Sequence, residues 1–283
     1  MKKFFQFLFK EFVYNGHLQA IGSASIVYVS MVALKMETSW MPVIAAYFIF
    51  QIIYWYDRLR GIKTDYATNF ERSRHLESYL ERVPFLIVLW LFILILFLVD
   101  TNLPTKIFSS VILIFGLLYP IYFKNLTRKI FIFKNIYVGG VFGLMVLYPF
   151  LWTGQNLFSV SVPAIIILIL FVLSRGLVMQ VLLDIKDVNS DAKEGLKTFS
   201  VVHGPSKTFN FLGMMNFLSV TPIFFALIFL PDLFSRSIAF LSLMFFYSLF
   251  VFNLIKREKF YGYILASLEF IFWAILVSVG KIW

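Results

Sequence analysis

Three carboxylates, Asp184, Asp187 and Asp191, lie in the run Leu182-Leu-Asp-Ile-Lys-Asp-Val-Asn-Ser-Asp-Ala-Lys-Glu-Gly195, at the end of a long apolar segment. In a continuous helix, at about 100° per residue, offsets of three and seven return to nearly the same face, with Gln180 one turn behind. Like charges on one face repel unless a cation sits among them. A hard divalent ion such as Mg2+ suits such a place, because it takes oxygen ligands, keeps several waters and leaves positions open for phosphate oxygens. A second acidic segment, Tyr54-Trp-Tyr-Asp57-Arg-Leu-Arg-Gly61-Ile-Lys-Thr-Asp65, closes another apolar stretch much earlier in the chain. Two such segments facing each other across a cavity would bind a diphosphate through bridging Mg2+. A solvated helix end balanced by Lys186, Lys193 and Lys197 would explain the first cluster alone, but not the coincidence of two.

The elements that must position these acids are membrane spans. Sixty per cent of the 283 residues are hydrophobic and only 14% are charged, more apolar surface than a soluble domain of this size can hide. An all-α, polytopic membrane protein is expected, one membrane domain over residues 1–283. Nine apolar segments approach the length of a bilayer crossing, at roughly 18–35, 39–56, 84–99, 106–123, 135–152, 159–183, 208–230, 235–254 and 260–280. Phe5, Leu8, Phe9, Phe12 and Val13 form one helical face, so residues 1–15 read as an interfacial amphipathic helix rather than a signal peptide. Residues 57–82 and 184–207 then form two long loops that carry the acidic motifs.

The net charge of +10 is distributed by topology rather than gathered for nucleic acid. With the N-terminus in the cytoplasm, twenty Lys and Arg fall on the inner side, against Lys35, Lys106, Arg236 and Lys281 outside. That orientation puts both acidic segments at the cytoplasmic face of what is expected to be the plasma membrane. No cysteine is present, and His17, His75 and His203 have no ligand spacing.

At these residues the chain resembles the UbiA superfamily of intramembrane prenyltransferases. Asp184-Ile-Lys-Asp-Val-Asn-Ser-Asp191, with the Gly-Leu-Lys-Thr tail and Gly204 behind it, is similar to the family's second aspartate motif. Residues 57–72 look like the first, and Leu118-Tyr-Pro-Ile-Tyr-Phe-Lys124 like a weaker signature contributing Tyr119 and Lys124. The resemblance implies a bundle of about nine helices around a central cavity. It also implies Mg2+-dependent transfer of a prenyl group from an allylic prenyl diphosphate to a hydrophobic acceptor, with release of diphosphate. Asp184, Asp187 and Asp191 would hold one ion and Asp57 with Asp65 the other. Arg72, Lys124 and Lys197 would contact diphosphate, and Tyr54, Tyr56 and Tyr119 would shield the carbocation.

Two positions depart from the family pattern. Gly61 stands where the first motif has its middle carboxylate, and Phe70 where its tail has Pro. Gly61 cannot ligate a metal, which leaves open a catalytically altered or silent relative. A transporter is the other alternative, but its charges would be expected near the midplane on broken helices. Arg175 and Glu269 fit no motif. Both lie about nine residues into their spans from the same side, roughly 13 Å along the axis. An ion pair tying span 9 to span 6 is expected there, the alternative being a protonated Glu269 or a proton acceptor for the acceptor substrate.

Overall fold

The structure, a computed structural model, describes residues 2–66, 69–155 and 161–282, with the side chains of residues 2–5 and 63–65 outside the description. Every regular element among the described residues is helical. An N-terminal helix α1 (Lys2–Tyr14) leads into α2 (His17–Ala33), α3 (Trp40–Asp65), the short α4 (Phe70–Glu77), α5 (Val83–Leu98) and α6 (Leu103–Leu118). A π-turn (Tyr119–Phe123) and α7 (Lys124–Leu126) extend α6. Next come α8 (Phe133–Leu144), α9 (Tyr148–Thr153), α10 (Val162–Asp184), α11 (Val188–Lys193), α12 (Phe199–Phe229), α13 (Met244–Lys256) and α14 (Tyr261–Ile282).

Among the described residues the nine apolar segments fall mainly on helix, and six helical segments are long and apolar enough to cross a membrane: Leu103–Leu126, Phe133–Thr153, Val162–Asp184, Phe199–Phe229, Arg236–Lys256 and Tyr261–Ile282. α2 and α5 are apolar but hold only 17 and 16 residues. At about 1.5 Å per residue they fall short of the roughly 30 Å hydrocarbon core. The connections expected as loops contain helix instead. α3 runs without interruption through Asp65, and α4 and α11 occupy much of the remainder.

Small residues set the crossing of α8 and α10. A methyl group added at Gly139 of α8 would stand 3.1 Å from the Leu173 carbonyl oxygen, and one at Gly176 of α10 would stand 3.2 Å from the Gly139 Cα. Glycine on both sides therefore lets the two backbones touch, as small residues do between membrane helices. The pair runs antiparallel, so the start of α8 lies beside the end of α10. α12 carries a break at Gly204, whose φ of 76° and ψ of 166° suit glycine alone, immediately before Pro205.

Arg175 and Glu269 meet as expected. Arg175 is fully buried and donates to Glu269 Oε1 from Nε at 2.7 Å and from Nη2 at 2.6 Å. It also donates to Asn216 Oδ1 at 2.5 Å, Ser219 Oγ at 3.1 Å and Ser248 Oγ at 2.5 Å. One guanidinium thus links α10, α12, α13 and α14 with its donors satisfied, the condition under which a charge is tolerated among apolar helices.

Candidate active site

The α8–α10 crossing places Lys134 and Asn135 against the acidic end of α10. Lys134 Nζ lies 2.8 Å from Asp184 Oδ1 and 3.1 Å from Asp191 Oδ2, while Asn135 Nδ2 donates to Asp184 Oδ2 at 2.7 Å. Asp184, Asp191 and Asn135 are all buried. Burial pushes the Asp191 carboxyl up to about 6, against the opposing pull of the Lys134 ammonium.

The three acids do not share a single stripe. α10 stops at Asp184 and α11 begins at Val188, with Asp187 in the cap position at φ −97° and ψ 9°. This break turns Asp187 away from its neighbours to accept from Asn69 Nδ2 at 3.2 Å. Among the described residues no three His, Asp or Glu side chains gather as a metal cluster. The sequence displays Lys134 only as one more basic residue, and its part in the site emerges only from the glycine-mediated crossing that aligns α8 with α10.

The tail behind the motif seats α11. Gly195, at φ 72°, ends the helix with Gly195 N donating to Ala192 O at 3.0 Å and Leu196 N to Asp191 O at 2.9 Å. This is the Schellman arrangement, in which glycine supplies the left-handed residue. The chain then pairs with the loop before α8, through Lys197 N to Thr127 O and Ile132 N to Lys197 O, both at 2.9 Å. Lys197 therefore fastens the site through its backbone, and its side chain is exposed. Lys124 pairs with Glu194 at 2.9 Å. Tyr119, in the π-turn, stacks on Tyr137 with ring centroids 5.3 Å apart.

The first acidic segment sits opposite. Because α3 is helical through Asp65, positions 57, 61 and 65 recur every four residues and share a face; the side chain of Asp65 lies outside the described residues. Asn69, just past this segment, donates to Asp187 and accepts from Lys186 Nζ. Asn69 thereby links the two loops that carry the acidic segments. Arg58, which sequence reasoning did not single out, is buried and donates to the Tyr14 carbonyl and, at 3.3 Å, to Gln19 Oε1.

Three neighbouring cavities connect these groups. The outermost, about 390 Å³, has Arg58, Arg72, Lys186 and Asp187 in its walls. A second, about 170 Å³, shares Arg58 and Arg72 with it and adds Asp57. A third, about 190 Å³, is bounded by Phe50, Ile53, Val138 and Val141, with Lys134 and Tyr119 at its polar end. Tyr54, Asp57, Phe142 and Gln180 line both the second and the third. Tyr56 lines none of the three.

The donor set is compatible with Mg2+. Asp184 and Asp191 direct oxygens to one common cation position, taken by the Lys134 ammonium. Asp187 and Asp57 open on cavities that share two arginines. Hard carboxylate oxygens beside phosphate-binding guanidinium groups form the setting in which Mg2+ is shared between protein and a phosphate ligand.

Comparison with curated proteins gave no match. Among solved structures, the chain is similar to an apo UbiA homolog from Aeropyrum pernix K1, with TM-score 0.70 and 15% identity over 93% of this chain and 96% of that one. A UbiA homolog from Archaeoglobus fulgidus bound to GPP and Mg2+ superposes with TM-score 0.65 and 13% identity, covering 96% of this chain and 98% of that one. A digeranylgeranylglyceryl phosphate synthase gives TM-score 0.52 and 17% identity, with 95% of each chain covered. At such identities the likeness concerns the fold. A family model supplies the stronger evidence, matching residues 78–276, a stretch that includes the Asp184–Asp191 motif and Lys134 but begins after Asp57. The chain belongs to the UbiA prenyltransferase family.

Proposed function

We propose that this membrane protein transfers a prenyl group from an allylic prenyl diphosphate to a hydrophobic acceptor in the lipid phase, in a Mg2+-dependent reaction. One observation carries the reading. Tyr54, Asp57, Phe142 and Gln180 form a common wall between a charged cavity holding Arg58 and Arg72 and a mainly apolar one lined by Phe50, Ile53, Val138 and Val141, whose polar end carries Lys134 and Tyr119. A ligand with an anionic head and an isoprenoid tail matches that change of character.

In the reaction the C1–O bond to the diphosphate breaks, C1 forms a new bond to the acceptor, and the acceptor loses a proton. Mg2+, when bound through Asp57, Asp65, Asp184, Asp187 or Asp191, supplies positive charge where the leaving diphosphate becomes more negative. Arg72 and Lys186 stand in the wall of the outer cavity and would hold phosphate oxygens. Tyr54 and Tyr119 face the inner cavity, where their rings would stabilise positive charge at C1 and keep water from it. Lys124, paired with Glu194, and the exposed Lys197 support the site from behind.

The same reading covers the setting. We read one membrane domain of about nine helical segments with the site at the inner face of the plasma membrane, and the placement of the basic residues supports a cytoplasmic N-terminus. α2 and α14 run parallel, with Gly22 beside Phe270 and Tyr28 Oη 2.9 Å from Ser278 Oγ, as two spans entering from one side would. The test is incubation of purified protein with Mg2+, labelled prenyl diphosphates of several lengths and a panel of quinone-precursor, carotenoid and other lipid acceptors. Transfer that EDTA abolishes is expected. Failure to bind or consume any prenyl diphosphate would overturn the proposal.

A further inference from the structure

We infer that Lys134 is a built-in cation that takes the place of one divalent ion, so that the protein engages a diphosphate with one Mg2+ rather than two. This inference rests on the functional reading above and sharpens it.

The geometry at Asp184 and Asp191 is that of a filled cation site. Oxygens from two buried carboxylates converge on one Nζ at 2.8 and 3.1 Å. The second oxygen of Asp184 is engaged by the amide of Asn135, itself fully buried. Both lone-pair faces of Asp184 are therefore directed at groups supplied by consecutive residues of α8. Two carboxylates and one ammonium leave a single net negative charge, whereas a divalent ion added beside the ammonium would give that buried pocket a net positive charge.

Lys134 reaches the two aspartates from a backbone that is itself fixed against α10. Its side chain is only 14% exposed, and α8 is held against α10 by the Gly139–Gly176 contact four to five residues further on. The ammonium also lies in the wall of the inner cavity with Asp57 and Tyr119. It is placed to meet a phosphate oxygen while both aspartates hold it. Lys134 thereby does by a covalently tethered charge what a second Mg2+ would do by coordination, and Gly61, which removes a ligand from the facing segment, weakens the case for two ions further.

The test counts ions rather than turnover. Free Mn2+ is measured by electron paramagnetic resonance as it is titrated into purified protein saturated with geranyl thiolodiphosphate, an analogue whose C–S bond resists ionisation. Wild-type protein should bind one Mn2+ per chain, Lys134→Met two, and Lys134→Arg one. Two ions in the wild type would overturn the inference while leaving the functional reading intact, and this count decides the matter even if Lys134→Met does not fold. One ion in a folded Lys134→Met would overturn it as well. Binding of neither ion nor analogue by the wild type would remove the functional reading and the inference together.

Discussion

Glu269→Gln should destabilise the protein severely although it changes the shape of the side chain hardly at all. Glu269 Oε1 accepts from both Nε and Nη2 of Arg175, at 2.7 and 2.6 Å, inside a fully buried cluster. Gln keeps an oxygen acceptor but not the charge, so the guanidinium remains buried among neutral acceptors alone, that oxygen with Asn216, Ser219 and Ser248. Removing one partner of a buried pair costs about 3–5 kcal/mol, and the retained acceptor places this variant near the lower end, about 3 kcal/mol. Arg175→Met removes the charge and its four hydrogen bonds, whereas the double variant no longer holds an unpaired ion of either sign. It should therefore be more stable than the sum of the singles by about 1–3 kcal/mol. Equilibrium unfolding in mixed micelles, followed by tryptophan fluorescence, measures all four corners of the cycle. A Glu269→Gln variant within about 0.5 kcal/mol of wild type, or strictly additive singles, would refute the reasoning. Prenyl diphosphate affinity in the folded single variants should be unchanged, because Arg175 lines none of the three cavities.

Gly139→Ala should destabilise by about 1–3 kcal/mol, because its methyl group would meet the backbone oxygen of Leu173 at 3.1 Å; Gly213→Ala, which meets nothing within 4 Å, should be neutral or stabilising in the same unfolding assay. Gly61→Asp, which restores a carboxylate on the face shared by Asp57 and Asp65, should raise Mg2+ affinity or turnover, and unchanged or lower values would mean that the site is organised around a different geometry. In metal-free protein, the raised Asp191 pKa means that the folded state holds its proton more tightly than the unfolded one. This group's contribution is full below about pH 4 and declines as pH rises through about 6, so Asp191→Asn should flatten the stability profile across that window. A profile identical to that of the wild type would rule this out.

The all-helical architecture was legible because nine apolar runs leave few alternatives, and the buried partnership of Arg175 with Glu269 because two isolated charges at one depth must find each other. The loops that carry the two acidic segments touch through Asn69 and Asp187, and both follow apolar helices that can be read in the sequence. What spacing alone misjudged was the unity of the Asp184 stripe, since an end to α10 after Asp184 rotates Asp187 to another side. Lys134 and Asn135 were missed for a different reason. Their role depends on a long-range crossing of α8 over α10, and the glycines that permit it resemble ordinary small residues in an apolar run. For Lys124 and Lys197, which the resemblance offers as diphosphate contacts, the structure adds an ion pair with Glu194 and main-chain pairing with Thr127 and Ile132.

The most direct measurement is the equilibrium binding of a labelled prenyl diphosphate to purified protein with Mg2+, with EDTA, and after Asp187→Ala or Asp57→Asn. Prenyl diphosphate binding through carboxylate-held Mg2+ predicts tight association only in the wild type with Mg2+, and loss of at least about tenfold in affinity, about 1.4 kcal/mol, in each other case. Full affinity in EDTA, or in both variants, would contradict it.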